Sequence, residues 1–266
     1  MTVRLTIFGG GNMGAALVGG LVASGWATPA ELAVVEPIAA RRQQLVADLS
    51  GVAIAADPPA RTDGAVVAVK PADVAAAAGA AGRAGASRVL SIAAGVPTAA
   101  IEAALGTDAA VVRAMPNTPA LVRAGAAAIA PGRRAGPDDL DWAAGILGAV
   151  GTVVRVPEHL LDAVTGLSGS GPAYLFLVVE SLVEAGVLAG LPRDVSTELT
   201  TQLLVGTAAL LAGSGQTPEQ LRAAVTSPGG TTAAGLRALE RAGTRSAFLD
   251  AVVAATERSR ELGAEW

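Results

Sequence analysis

Between Val3 and Val156, short runs rich in β-branched residues alternate with Ala-rich stretches of helical period, and after Pro157 the strand signal stops. Few folds accept that rhythm. Strand, helical crossover and parallel strand, repeated along one chain, give a sheet with helices on its faces. Strands are expected at Val3–Phe8, Leu32–Glu36, Val52–Ala55, Ala65–Val69, Val89–Ala93, Ala110–Ala114, Ala126–Ala130 and Thr152–Val156. Helices are expected between them at Asn12–Ser24, Ala39–Leu49, Ala72–Gly82, Thr98–Leu105 and Pro137–Val150. The remainder reads as helices alone: Glu158–Gly166, Gly171–Ala189, Pro192–Leu211, Pro218–Val225, Thr232–Arg241 and Thr244–Leu262, with Pro192 and Pro218 in first turns and Thr217 as an N-cap. The expected fold class is α/β with a mostly parallel sheet, followed by an all-helical domain, divided into residues 1–157 and 158–266.

Aromatic residues make up only 3% of a chain that is 52% hydrophobic, so Ala, Val and Leu must fill the core. Charged residues reach only 16% and mean hydropathy is +0.51, which predicts apolar area hidden between subunits of a homodimer or larger homo-oligomer. A net charge of −4 argues against nucleic acid as a partner. With no Cys and a single His159, neither a thiolate nucleophile nor a His or Cys metal site is expected. The stretch Ala173–Leu191 carries Glu180 and Glu184, so it is expected to be a buried helix rather than a membrane span. The leading residues show no basic, apolar and cleavage regions of an export signal, and a cytoplasmic location is expected.

Gly9-Gly10-Gly11-Asn12-Met13-Gly14 joins the first strand to the first helix and holds G-x-G-x-x-G at Gly9, Gly11 and Gly14. In a chain with 33 Gly the pattern alone is weak; at the first βα junction it is the fingerprint of a Rossmann-type dinucleotide site. Gly9 would turn the chain, Gly11 admit the pyrophosphate, and Gly14 let helix and strand pack closely. Glu36 ends the second strand where an acid usually takes the adenosine ribose hydroxyls, favouring NADH, while Arg41 and Arg42 could reach a 2′-phosphate or simply form a solvated face. The cofactor is therefore NADPH or NADH, with the preference open.

Ligands of an open α/β sheet sit beyond the carboxyl ends of its strands. There the chain places Lys70-Pro71, with its only Lys, then Ser91-Ile92-Ala93-Ala94-Gly95, whose small residues would admit a flat nicotinamide, and Met115-Pro116-Asn117-Thr118-Pro119. In the helical part, Thr226-Ser227-Pro228-Gly229-Gly230-Thr231-Thr232 precedes a helix and offers successive N–H groups and hydroxyls, more than capping needs. It reads as a carboxylate trap.

Together with Arg113-Ala114, Phe8 and Ser168-Gly169-Ser170-Gly171-Pro172-Ala173-Tyr174, these segments resemble the pyrroline-5-carboxylate reductase family nearly end to end. The resemblance implies a Rossmann domain, a helical domain that interleaves with a second subunit, and reduction of a cyclic imino acid to L-proline. It implies a substrate carboxylate on the amides of Gly230, Thr231 and Thr232 near Ser227, with the Thr232 hydroxyl, the one catalytic group, at the imine nitrogen. Gly9, Gly10, Gly11, Asn12 and Met13 would hold the pyrophosphate, and Lys70, Pro71, Ala93 and Asn117 would line the cofactor. Glu36 and Pro58 depart from many relatives, which bears on NADPH use and not on the reaction. Imine reduction needs an oriented substrate and no nucleophile, in keeping with this composition. A β-hydroxyacid dehydrogenase shares the glycine turn but generally carries a catalytic Lys that is missing after Lys70. A non-catalytic dinucleotide sensor would leave the Ser227–Thr232 segment without a purpose.

Overall fold

The computed structural model describes residues 3–264 and Trp266; residues 1 and 2, at the head of the stretch judged for an export signal, lie outside the described residues. The chain divides into two compact units, one running to Ser170 and taking in the residues from Val253 onward, the other Gly171–Val252.

All eight expected strands form, as β1 (Val3–Phe8), β2 (Leu32–Val35), β3 (Ala53–Ala55), β4 (Thr62–Val67), β5 (Arg88–Ser91), β6 (Ala110–Met115), β7 (Gly125–Pro131) and β8 (Gly151–Arg155). They make one sheet in the order β3-β2-β1-β4-β5-β6-β7-β8, parallel except where β6 meets β7. That exception has a simple cause. Between Met115 and Gly125 the chain has only a short 3₁₀ turn, Thr118–Val122, and a parallel return needs a crossover of a dozen residues or more.

Side chains alternate across the strands and feed two layers. On one face Leu5, Ile7 and Val66 pack against α1 (Asn12–Ala23), α2 (Ala39–Asp48) and α5 (Pro137–Gly148) through Leu17, Leu21, Leu45 and Ile146. On the other, Phe8, Val67, Val89 and Val111 meet α3 (Val74–Arg83) and α4 (Thr98–Leu105) through Ala78, Ile101 and Leu105. Each fully buried Leu or Ile contributes about 1.5–3 kcal/mol by leaving water. The register sets Ile7 opposite Val34 on one side and Val66 on the other, so β1 is central. From β1 the chain winds to β2 and β3, then returns to β4 on the opposite side, which places the switch of direction between β1 and β4.

After β8 the helix expected over Glu158–Gly166 appears as a 3₁₀ turn, a short α6 (Leu161–Val164) and a π-helical turn over Thr165–Gly169. The Glu158 carboxylate caps α4, accepting from the Thr98 N–H at 2.8 Å and its hydroxyl at 2.7 Å, and it also meets buried Arg113 at 3.2 Å.

The second unit holds α7 (Gly171–Leu188), α8 (Arg193–Ser214), α9 (Pro218–Ala224), α10 (Thr231–Arg241) and the start of α11 (Thr244–Gly263). Helices α7 and α8 pair closely where Gly186 faces Ser196, whose hydroxyl donates to the Val183 carbonyl at 2.8 Å. The Arg193 fork on Glu184 holds that carboxyl below its usual range. One expectation needs correcting: α7 is not buried within its own chain. Val183 is its one buried residue, while Phe176 is 61% exposed and Leu188 90%.

Candidate functional site

Topology brings five of the singled-out segments to one edge of the sheet. Gly9 follows β1, Glu36 follows β2, Lys70-Pro71 follows β4, Ala93 follows β5 and Asn117 follows β6. These strands are consecutive neighbours astride the switch between β1 and β4, where the loops diverge and leave a crevice.

Each glycine of the first turn answers to a separate constraint. Gly9 has φ +106°, and a Cβ there would stand 2.5 Å from the Ala68 carbonyl oxygen. Gly14 faces the Gly9 carbonyl so closely that a Cβ would overlap it, which sets how near α1 approaches β1. Gly11 is the opposite case. Its backbone is ordinary, and a Cβ would meet nothing within 4 Å. The space at Gly11 therefore opens outward, at the N-terminus of α1, whose cap makes no side-chain hydrogen bond. Unpaired N–H groups facing an open approach suit a pyrophosphate. The residues present thus fit a nicotinamide dinucleotide, with exposed Asn12 and half-buried Met13 opening the helix.

Glu36 is 6% exposed; its carboxylate accepts from the Gly10 N–H at 3.0 Å and from the Ile38 N–H at 2.9 Å. Arg41 and Arg42 do more than form a solvated face. Arg41 Nε donates to the Gly10 carbonyl at 2.7 Å, and Arg42 donates to the carbonyls of Glu36 at 2.9 Å and Pro37 at 2.8 Å. Sequence reasoning weighed these arginines only for a phosphate or for solvent. For Arg42 alone the signal was local, its partners Glu36 and Pro37 standing six and five positions back.

Lys70 and Pro71 are exposed beyond β4, and Ala93 is buried beyond β5, beside fully buried Ser91. Asn117 is occupied within the protein. Its Oδ1 accepts from the Ala126 N–H at 2.8 Å and its Nδ2 donates to the Ser168 carbonyl at 3.1 Å. The amide thereby ties the β6 loop to the π-helical turn, a type of irregularity often found at functional sites. Only a cluster of Gly and Ser marks the π turn in the sequence.

In the second unit, Gly230 is the N-cap of α10, extended at φ −79° and ψ 176°, with no side-chain hydrogen bond to the cap. Gly229, at φ +71°, makes the preceding turn, and the Gly230 N–H donates to the Ser227 carbonyl at 3.1 Å. The first N–H groups of α10, at Thr231 and Thr232, therefore point out of the helix beside exposed hydroxyls. Such a terminus attracts a carboxylate through unmade hydrogen bonds and the helix dipole.

Comparison with known proteins places both parts in a family. The model for pyrroline-5-carboxylate reductase dimerisation matches residues 158–262, and that for NADP oxidoreductase, coenzyme F420-dependent, matches residues 4–95. The pyrroline-5-carboxylate reductase of Synechocystis is 46% identical over 277 residues, covering 99% of each chain. That of Methanosarcina acetivorans is 42% identical and covers 98% of each. Among solved structures, a pyrroline-5-carboxylate reductase from Coxiella burnetii matches with a TM-score of 0.90 at 36% identity, over 98% of this chain and 99% of that one. Plasmodium falciparum pyrroline carboxylate reductase with NADP bound matches with a TM-score of 0.82 at 30% identity, over 98% of each chain.

Proposed function

The chain belongs to the pyrroline-5-carboxylate reductase family, and from that premise we propose how its own residues carry out the reduction of 1-pyrroline-5-carboxylate to L-proline with NADH or NADPH. The match over the whole chain carries this reading, because it joins a dinucleotide cradle and an uncapped helix N-terminus in one sequence. When bound, the reduced nicotinamide supplies the hydride that the imine carbon receives.

The protein holds and orients. Gly9–Gly14 offer backbone N–H groups to the pyrophosphate, while Lys70, Pro71 and Ala93 line the cofactor at the strand ends. Asn117 contributes by fixing its loop against Ser168. The substrate carboxylate rests on the N–H groups of Thr231 and Thr232, with Gly230 and Ser227 shaping the turn. The Thr232 hydroxyl hydrogen-bonds the ring nitrogen and helps hold the protonated iminium, whose carbon is electrophilic without a metal or covalent nucleophile. Such hydride transfer needs the reacting carbons at about 3–3.5 Å, so most of the acceleration is orientation.

The helical segment 158–262 matches a dimerisation family, and a homodimer or larger homo-oligomer in the cytoplasm completes the proposal. The test is direct. Purified protein should oxidise NADH or NADPH when the cyclic imine is supplied and leave both untouched without it. Oxidation that ignores the imine, or none at all with it, would sink the assignment.

A further inference from the structure

The adenosine end of the cradle carries a commitment that the family match leaves open. Glu36 is 94% buried at the end of β2, and both of its oxygens are pinned, Oε2 by the Gly10 N–H and Oε1 by the Ile38 N–H. It has little freedom to withdraw. Gly10 is itself hemmed in by the Leu45 side chain and the Glu36 Cβ, so the loop is held against the carboxylate. Among the described residues no guanidinium comes within ion-pair distance of that carboxylate. Two backbone N–H groups hold it beside the first glycine turn.

The two arginines of α2 are anchored by part of their donors. Arg41 spends Nε on the Gly10 carbonyl and one terminal nitrogen on Gln44, at 3.1 Å. Arg42 places Nη1 between two backbone carbonyls. A 2′-phosphate at this position would bring a charge of about −1.5 to −2 toward a fixed carboxylate, and only the guanidinium nitrogens not already on Gly10, Gln44, Glu36 and Pro37 could answer it. A ribose with free hydroxyls meets no such conflict. A carboxylate has about four lone-pair sites, and the two backbone N–H groups leave the others to accept from the hydroxyls.

Resting on the reading of the chain as an NAD(P)H-dependent reductase, we propose that Glu36 makes this enzyme select NADH over NADPH. The selection comes from a carboxylate locked in place by the glycine turn, with repulsion of the 2′-phosphate as its working part.

Two readouts test this, one of which needs no turnover. Titration of the purified protein with NADH and with NADPH, followed by nicotinamide fluorescence, gives a binding ratio; rates with the cyclic imine give a ratio of kcat/KM. Wild type should favour NADH by roughly tenfold or more in both, the scale set by one well-placed repulsive or hydrogen-bonding group. Glu36→Gln, which removes the charge and keeps the shape, and Glu36→Ser, which opens the site, should each move the binding ratio toward NADPH by about tenfold. A wild type that binds NADPH as tightly as NADH overturns the proposal, as does an unmoved ratio in variants that melt like wild type. If one variant fails to fold, the other and the wild-type ratio decide. Selective NADH binding without imine-dependent oxidation would uphold Glu36 and reject the reductase reading. Binding of neither dinucleotide would reject both.

Discussion

At the scale of single residues, Thr232 and Glu36 stand at opposite ends of the proposed chemistry and are read from different signals. Thr232 is the second residue of α10, two positions after the uncapped Gly230, and is exposed. Removing the hydroxyl takes one hydrogen bond from the ring nitrogen, about 1–2 kcal/mol in a partly wet site, which corresponds to a fall of roughly tenfold in kcat. Thr232→Ala is therefore expected to lower kcat while the dissociation constant for the dinucleotide stays put, and Thr232→Ser to restore most of the rate. Steady-state rates paired with cofactor titration check this, and unchanged turnover in the Ala variant would remove Thr232 from the mechanism. Thr232 is legible in the sequence because two glycines before two threonines at a helix start are a local pattern. The roles of Arg41 and Asn117 are not, since Gly10 and Ser168 reach them by tertiary approach, whereas Arg42 meets Glu36 and Pro37 only six and five positions back. Asn117 shows the difference: a residue expected to face a ligand spends its amide on the protein.

At the scale of elements, the β1–α1 turn separates folding from binding within three residues. A methyl at Gly14 would overlap the Gly9 carbonyl, so Gly14→Ala forces α1 away from β1, at a cost of about 1–3 kcal/mol. Gly11→Ala should leave the fold alone, because nothing stands within 4 Å and its φ of −64° suits any residue. It places a methyl where a pyrophosphate would approach the N–H groups. The expected outcome is a lowered Tm for Gly14→Ala and an unchanged Tm for Gly11→Ala, with stabilisation by NADH lost in Gly11→Ala; differential scanning fluorimetry with and without NADH reads both. If Gly11→Ala keeps its full cofactor-induced shift, the pyrophosphate lies elsewhere. Elements of this kind are legible because strand alternation, helical period and glycine at positive φ are local. The antiparallel β7 is less so. Its alternation looks like that of any other strand, and only the short link between Met115 and Gly125 distinguishes it.

At the scale of the whole molecule, surface decides. Much of the exposed apolar surface lies on α7 and α8, where Leu175, Phe176, Leu177, Leu199 and Leu203 are each half exposed or more. By length and apolarity alone, the stretches Glu158–Leu188 and Arg193–Ser214 would pass as membrane spans. Their match to a dimerisation family points to a second subunit as the cover. Sequence alone reads α7 as buried and is silent on what buries it, because periodicity reports an apolar face and not whose chain meets it. Such a subunit should depend on its partner for stability, so the Tm of wild type is expected to rise with protein concentration, as mass action requires when association stabilises only the folded form. Phe176→Glu and Leu199→Glu each place a charge on a face that contacts solvent within the subunit, so they leave its internal packing intact. Sedimentation velocity at micromolar concentration should show wild type as a dimer or larger species, and the paired variant as a smaller species with a concentration-independent, lower Tm. A wild type that sediments as a monomer with a Tm indifferent to concentration would leave the apolar faces of α7 and α8 without their proposed cover.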